Sequence, residues 1–150
     1  MKRKELIING VKLCFYELGT GKSLLFFHGG RLRALTFKKT IEELSKNYHI
    51  IAPDIPGYGD SSTPKDVWTF QDYSNFFISF IKQLKVKELI VVGYSFGGGI
   101  AYNMASVCEK VEKLILIDSA GIEKTLDSQQ KKDFDRLIFT LHILNIYYRF

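Results

Sequence analysis

Leu89-Ile90-Val91-Val92-Gly93-Tyr94-Ser95-Phe96-Gly97-Gly98 is the stretch that decides how this chain is read. Four apolar residues in a row, without alternation, predict a strand buried on both faces. A G-x-S-x-G turn follows at once, and a helix is expected from there to about Cys108. A serine hydroxyl is a poor nucleophile unless it is exposed, oriented and served by a base. A sharp strand-to-helix turn lifts the side chain out of the sheet, and glycine at 93 and 97 removes Cβ atoms for which such a turn has no room. The helix that begins there points its free N–H groups and its dipole at the serine, which favours an oxyanion. Ser95 is therefore the candidate nucleophile, and the N–H of Phe96 a candidate oxyanion donor. The competing reading is a tight glycine turn with a bystander serine. The strand before it and the helix after it favour the nucleophile.

Working upstream, Leu24-Leu25-Phe26-Phe27 is a second continuous apolar run, ending at His28-Gly29-Gly30. An oxyanion hole needs two N–H donors converging where charge develops. Glycine after a strand lets the backbone approach closely. Gly30 is the second candidate donor, with His28, Gly29 and Tyr94 as candidate substrate-binding neighbours. For His28, a structural role holding the loop is favoured over that of a general base. His49-Ile50-Ile51-Ala52 reads as a further strand, stopped by Pro53-Asp54. The run Asp54-Ile55-Pro56-Gly57-Tyr58-Gly59-Asp60-Ser61 must be loop. No Gly-Lys-Ser/Thr follows it, which excludes a Walker phosphate loop, and it reads as a structural turn at a pocket rim.

The remaining elements complete a pattern. Leu6–Ile8 and Val11–Leu18 flank Asn9-Gly10, the strongest short hairpin signal. Phe37–Leu44 reads as a helix. Thr69 caps another that runs to about Leu84, with Asp72 placed for a capping box and Trp68 and Tyr73 for a hydrophobic staple. Leu114–Ile117 is a strand ending at Asp118, and Asp127 caps a final helix. Such alternation predicts an α/β fold: a mostly parallel, doubly wound sheet of about six strands, opened by an antiparallel hairpin, with helices on both faces. Ligands of such sheets bind beyond the carboxyl ends of the strands. The loops at 28–31, 54–61 and 93–97 lie at those ends.

Composition narrows the alternatives. A chain of 150 residues suits one domain with a sizeable core, and a 46% hydrophobic share argues against disorder. The net charge is +5, but the lysines are scattered and no recognition motif accompanies them, so no nucleic-acid partner is expected. Cys14 and Cys108 lack any metal or redox spacing and read as reduced thiols packed as small apolar residues. The apolar run after the basic start is too short for a signal peptide, and none approaches the ~20 residues of a membrane helix. The expectation is a cytoplasmic protein with no membrane span, no cofactor and no metal.

Taken together, His28-Gly29-Gly30, the D-x-x-G-x-G-x-S run Asp54–Ser61 and Gly93–Gly98 resemble the α/β-hydrolase fold family over roughly residues 10–122. The likeness is to its cofactor-free branch of carboxylesterases, lipase-like enzymes, carbon–carbon bond hydrolases, proline iminopeptidase-like enzymes and perhydrolases. It implies a serine hydrolase acting through an acyl-enzyme at Ser95 on a small carboxylic ester or related acyl substrate. It also implies an oxyanion hole made by the N–H groups of Gly30 and Phe96. Serine at this position argues against the epoxide hydrolases and haloalkane dehalogenases of the fold, which place aspartate there. A non-catalytic binding protein that keeps the turn as scaffold is an alternative. So is an acyltransferase or perhydrolase using the same nucleophile.

The family's triad runs Ser, then Asp or Glu, then His. After Ser95 the sole histidine is His142, in a segment that resembles the first helix of an inserted cap. The expectation is that 1–122 is the N-terminal part of the core and 123–150 the start of a helical cap. The last strands, the usual acid and the histidine would then lie beyond Phe150, leaving the chain inactive by itself. Asp118 stands where some members place the acid; a structural strand-end carboxylate is the other reading. Arg31 and Arg33 either steer an acidic substrate or simply charge the surface.

Overall fold

The structure is a computed structural model and describes residues 1–120. The expected final helix, the cap at 123–150 and His142 lie outside the described residues. The chain folds as β1 (Lys2–Ile8), β2 (Val11–Leu18), β3 (Ser23–Phe27), α1 (Lys38–Leu44), β4 (His49–Pro53), α2 (Phe70–Gln83), β5 (Leu89–Tyr94), α3 (Phe96–Val107) and β6 (Val111–Ile117), with a 3-10 turn at Ala34–Phe37 leading into α1. The strands form one sheet in the order β1-β2-β4-β3-β5-β6. The hairpin β1–β2 is antiparallel, as is β2 on β4, while β3, β4, β5 and β6 run parallel. This is the mixed, mostly parallel sheet expected.

Two apolar layers cover the sheet, and period-two alternation sorts residues between them. Leu13, Phe15, Leu25, Phe27, Ile51 and Val91 pack on one face with Phe76, Phe77 and Phe80 of α2 and Ile100 and Met104 of α3. Cys14, Tyr16, Leu24, Phe26, Ile50 and Val92 pack on the other with Ala34 and Ile41. The central strands are thus apolar on both sides, which is why they read as continuous runs. Aromatic edges lock the first layer: Phe27 meets Phe77 at 4.5 Å and Phe15 meets Phe80 at 5.0 Å between centroids. The two cysteines are free and buried, one in each layer.

Register brings the loops together. Phe27 pairs with Gly93, so the chain leaves β3 at His28 and β5 at Tyr94 side by side. Leu25 pairs with Ile51, so β4 delivers Asp54 at the same end of the sheet. Among the described residues no helix is long and apolar enough to cross a membrane.

Candidate active site

Ser95 sits between β5 and α3 with φ 49° and ψ −115°. That conformation is unfavourable for a residue with a Cβ, by about 1–3 kcal/mol, and persists only where the surroundings impose it. Three backbone hydrogen bonds do so. The Ser95 N–H donates to the Ile117 carbonyl at 3.0 Å. The Ser95 carbonyl accepts from the N–H of Gly98 at 2.9 Å and of Ala120 at 3.0 Å. The neighbouring glycines are steric necessities. A Cβ on Gly93 would run into the Gly97 carbonyl and the Gly98 Cα, and one on Gly97 would stand 2.6 Å from the Phe27 carbonyl oxygen. The helix therefore packs its first turn directly on β3 and β5. Ser95 itself remains partly exposed, and α3 has no acidic residue in its first turn to compete for its positive end.

The loop after β3 lies against this turn. A Cβ placed on Gly30 would be 3.6 Å from the Phe96 Cβ, so the two residues expected to donate to an oxyanion are neighbours. Among the described residues no acceptor is found for the N–H of either. Gly29 is covered by Tyr94, whose ring would be 3.0 Å from a Cβ there and which stacks edge-on to Phe37 at 5.4 Å.

His28 is fully buried. Its Nε2 accepts the Ile55 N–H at 2.9 Å, which fixes the tautomer and leaves Nδ1–H to donate to the Gly29 carbonyl at 2.7 Å. Burial holds its pKa below the ordinary histidine value, against opposing contributions from the Gly29 bond and the Asp54 charge. The ring is thus a neutral strut between the loops after β3 and β4. Neither nitrogen is left for the substrate-binding role expected of it, or for serving Ser95.

Asp54 is the second strut. Its fully buried carboxylate accepts the Ala34 N–H at 2.8 Å through Oδ1 and the Asp60 N–H at 2.9 Å through Oδ2. Gly59, at φ +56°, has no Cβ because the Asp54 carboxylate fills that place. Ser61 closes the turn by donating its hydroxyl to the Asp54 carbonyl at 2.6 Å and accepting the Cys14 N–H at 2.9 Å. The D-x-x-G-x-G-x-S run is thus a self-contained clamp on β2 and on the loop after β3.

Cys14, Asp54 and Asp60 hold ligand-type atoms within 4.8 Å of one another. They do not fit a cation. Both Asp54 oxygens carry backbone N–H groups, Asp60 pairs with Arg33 and Arg3, and burial pushes the Cys14 thiol up, keeping its proton. Arg33 is thereby engaged by Asp60, while Arg31 is exposed at φ 61° beside Gly30. Asp118 is exposed at φ 46°, directly after the Ile117 that takes the Ser95 N–H.

The aromatic wall around Phe96 escaped the sequence. Phe96 meets Tyr58, Phe70 and Tyr73 at 5.8, 5.3 and 5.4 Å between ring centroids. With Phe96 on α3, Phe70 and Tyr73 on α2 and Tyr58 in the loop after β4, the rings come from three separate segments, and no local pattern announces their meeting.

A model of the alpha/beta hydrolase fold family matches residues 22–140, and the chain belongs to that family. The 2-hydroxymuconate semialdehyde hydrolase of Pseudomonas sp. (strain CF600) is 32% identical over 124 residues, covering 79% of this chain and 44% of that protein. An epoxide hydrolase of Caballeronia sordidicola is 32% identical over 108 residues, covering 70% of this chain and 33% of that protein. Among solved structures, a membrane phospholipase A described as a bacterial virulence factor superposes with a TM-score of 0.78 at 28% identity, over 90% of this chain and 45% of that one. The meta-cleavage product hydrolase CumD does so with a TM-score of 0.75 at 28% identity, over 82% of this chain and 47% of that one. The chain spans half or less of the length of these relatives.

Proposed function

We propose that this chain carries the nucleophile and the oxyanion hole of a serine hydrolase that acts on a small carboxylic ester or related acyl substrate. The observation that supports this best is the strained, hydrogen-bonded backbone of Ser95 at the head of α3, beside two N–H groups without a described acceptor. In the proposed reaction Ser95 Oγ attacks the acyl carbonyl carbon and passes its proton to an imidazole base. The carbonyl oxygen gains negative charge between the N–H groups of Gly30 and Phe96. The leaving alcohol takes the proton from the imidazole, and water then releases the acid from the acyl-enzyme.

The base is a histidine outside the described residues. His28 has no free nitrogen, and His49 stands at the start of β4, the far end of the sheet, between Ser23 and Glu17. Where the acid follows the sixth strand, we assign it to Asp118. Without base and acid the Ser95 half-site retains only binding and oxyanion effects, so little turnover is expected of it alone. The relatives include a semialdehyde hydrolase and an epoxide hydrolase. Serine rather than aspartate at position 95 favours acyl chemistry over epoxide opening. Acyl transfer or perhydrolysis would run through the same acyl-enzyme with another acceptor.

The test is hydrolysis of short p-nitrophenyl esters by the full-length protein. Ser95→Ala is expected to lower kcat by at least about 10³-fold. Turnover indifferent to Ser95→Ala contradicts the proposal.

A further inference from the structure

Tyr58 stands at the meeting point of the three loops that build the candidate site. It lies in the clamped turn after β4, where its N–H donates to the Ile55 carbonyl at 2.8 Å and its carbonyl accepts the Ser61 N–H at 3.3 Å. Its ring is wedged between the buried strut His28, edge-on at 6.0 Å, and Phe96 at 5.8 Å between centroids. This places the phenol oxygen 3.7 Å from the point a Cβ on Gly30 would occupy, and the Phe96 Cβ is 3.6 Å from that same point. One small space is thus bordered by Gly30, by Phe96 and by the Tyr58 hydroxyl. The neighbouring Tyr73 differs, because its hydroxyl already donates to the Pro56 carbonyl at 3.3 Å. For the Tyr58 hydroxyl no hydrogen-bond partner is found among the described residues.

A phenol held by two rings and a clamped turn loses little freedom when it binds something, and it has one O–H to give. We propose that Tyr58 is a third donor to the substrate, placing its O–H on the acyl carbonyl oxygen as that oxygen becomes negative beside Gly30 and Phe96. The proposal rests on the reading of Ser95 as the nucleophile. A donor aimed at developing charge strengthens in the transition state and acts mainly on kcat. A ring that merely packs against Phe96 would be replaced equally well by phenylalanine.

The experiment uses the full-length protein and a fluorophosphonate probe. Ser95 Oγ displaces fluoride from phosphorus, its proton passes to the base, and the phosphoryl oxygen takes the place of the oxyanion. Tyr58→Phe, which keeps the ring, is expected to phosphonylate about 10- to 100-fold more slowly, the range for losing a hydrogen bond to a charged oxygen. On p-nitrophenyl esters its kcat is expected to fall with KM little changed. A thermal midpoint equal to wild type shows that the fold is intact. Wild-type rates for Tyr58→Phe, with only Tyr58→Ala impaired, overturn the proposal and leave a packing role. Ser95→Ala serves as the control. If it blocks labelling while Tyr58→Phe labels normally, the Tyr58 proposal alone fails. If Ser95→Ala labels like wild type, the nucleophile reading fails and takes Tyr58 with it.

Discussion

At the scale of single residues, the site is held by atoms that are missing as much as by those present. Gly97 lets α3 touch the β3 backbone, and a methyl group there would meet the Phe27 carbonyl oxygen at 2.6 Å. Neither partner can move without disturbing the strand pairing of Phe27 with Gly93. Gly97→Ala is therefore expected to cost about 1–3 kcal/mol, read as a lower urea midpoint at unchanged slope. His28 gives a pH prediction. Its folded pKa lies below 6.5, chiefly because burial disfavours the charged ring. The unfolded chain therefore binds a proton that the native state refuses. The stabilisation is full above pH 6.5 and is lost progressively as pH falls through the folded value. Urea midpoints should drop as pH falls below 6.5, and those of His28→Gln should drop less. Equal pH slopes in the two proteins would contradict the buried neutral strut. The role of His28 was half legible: its place after β3 marked the loop, but only the crossing of Ile55 over it shows where its nitrogens go.

At the scale of elements, strong local signals were easy to read and charged strand ends were not. The helix α2 begins where expected. Thr69 Oγ1 accepts the Asp72 N–H, the Asp72 carboxylate accepts the Thr69 N–H, and Trp68 meets Tyr73 at 5.0 Å between centroids. Thr69→Ala removes the cap and is expected to cost about 1 kcal/mol, measured as a loss in thermal midpoint with the fold retained. The strand β1 starts at Lys2, earlier than the hydrophobic run at Leu6 suggested, because Lys2-Arg3-Lys4 occupy a sheet edge where charge is tolerated. Glu112 and Lys113 concealed the start of β6 at Val111 in the same way. The helix expected over Phe37–Leu44 is α1, Lys38–Leu44, and the 3-10 turn at Ala34–Phe37 that leads into it was not foreseen; there the Ala34 N–H donates to the Asp54 carboxylate. That bond joins residues 20 apart, and no local pattern encodes it.

At the scale of the whole molecule, a mostly parallel sheet was readable because buried parallel strands are continuous apolar runs separated by helices, whereas the order β1-β2-β4-β3-β5-β6 appears only in the structure. The three motif loops converge because register aligns Phe27 with Gly93 and Leu25 with Ile51. Ser95, Gly30 and Phe96 could be singled out in sequence because each sits in a short glycine-rich motif. Tyr58, Phe70 and Tyr73 could not, because their meeting around Phe96 exists only once the loops are closed. In the proposed reaction Ser95 carries the reacting atom. Trypsin cuts after Lys87 and Lys110 and places Ser95 and Ser106 on one peptide. Tandem mass spectrometry of the full-length protein after fluorophosphonate treatment should find the phosphonyl group on that peptide, on Ser95. An adduct on any other residue, or no adduct, would contradict the account.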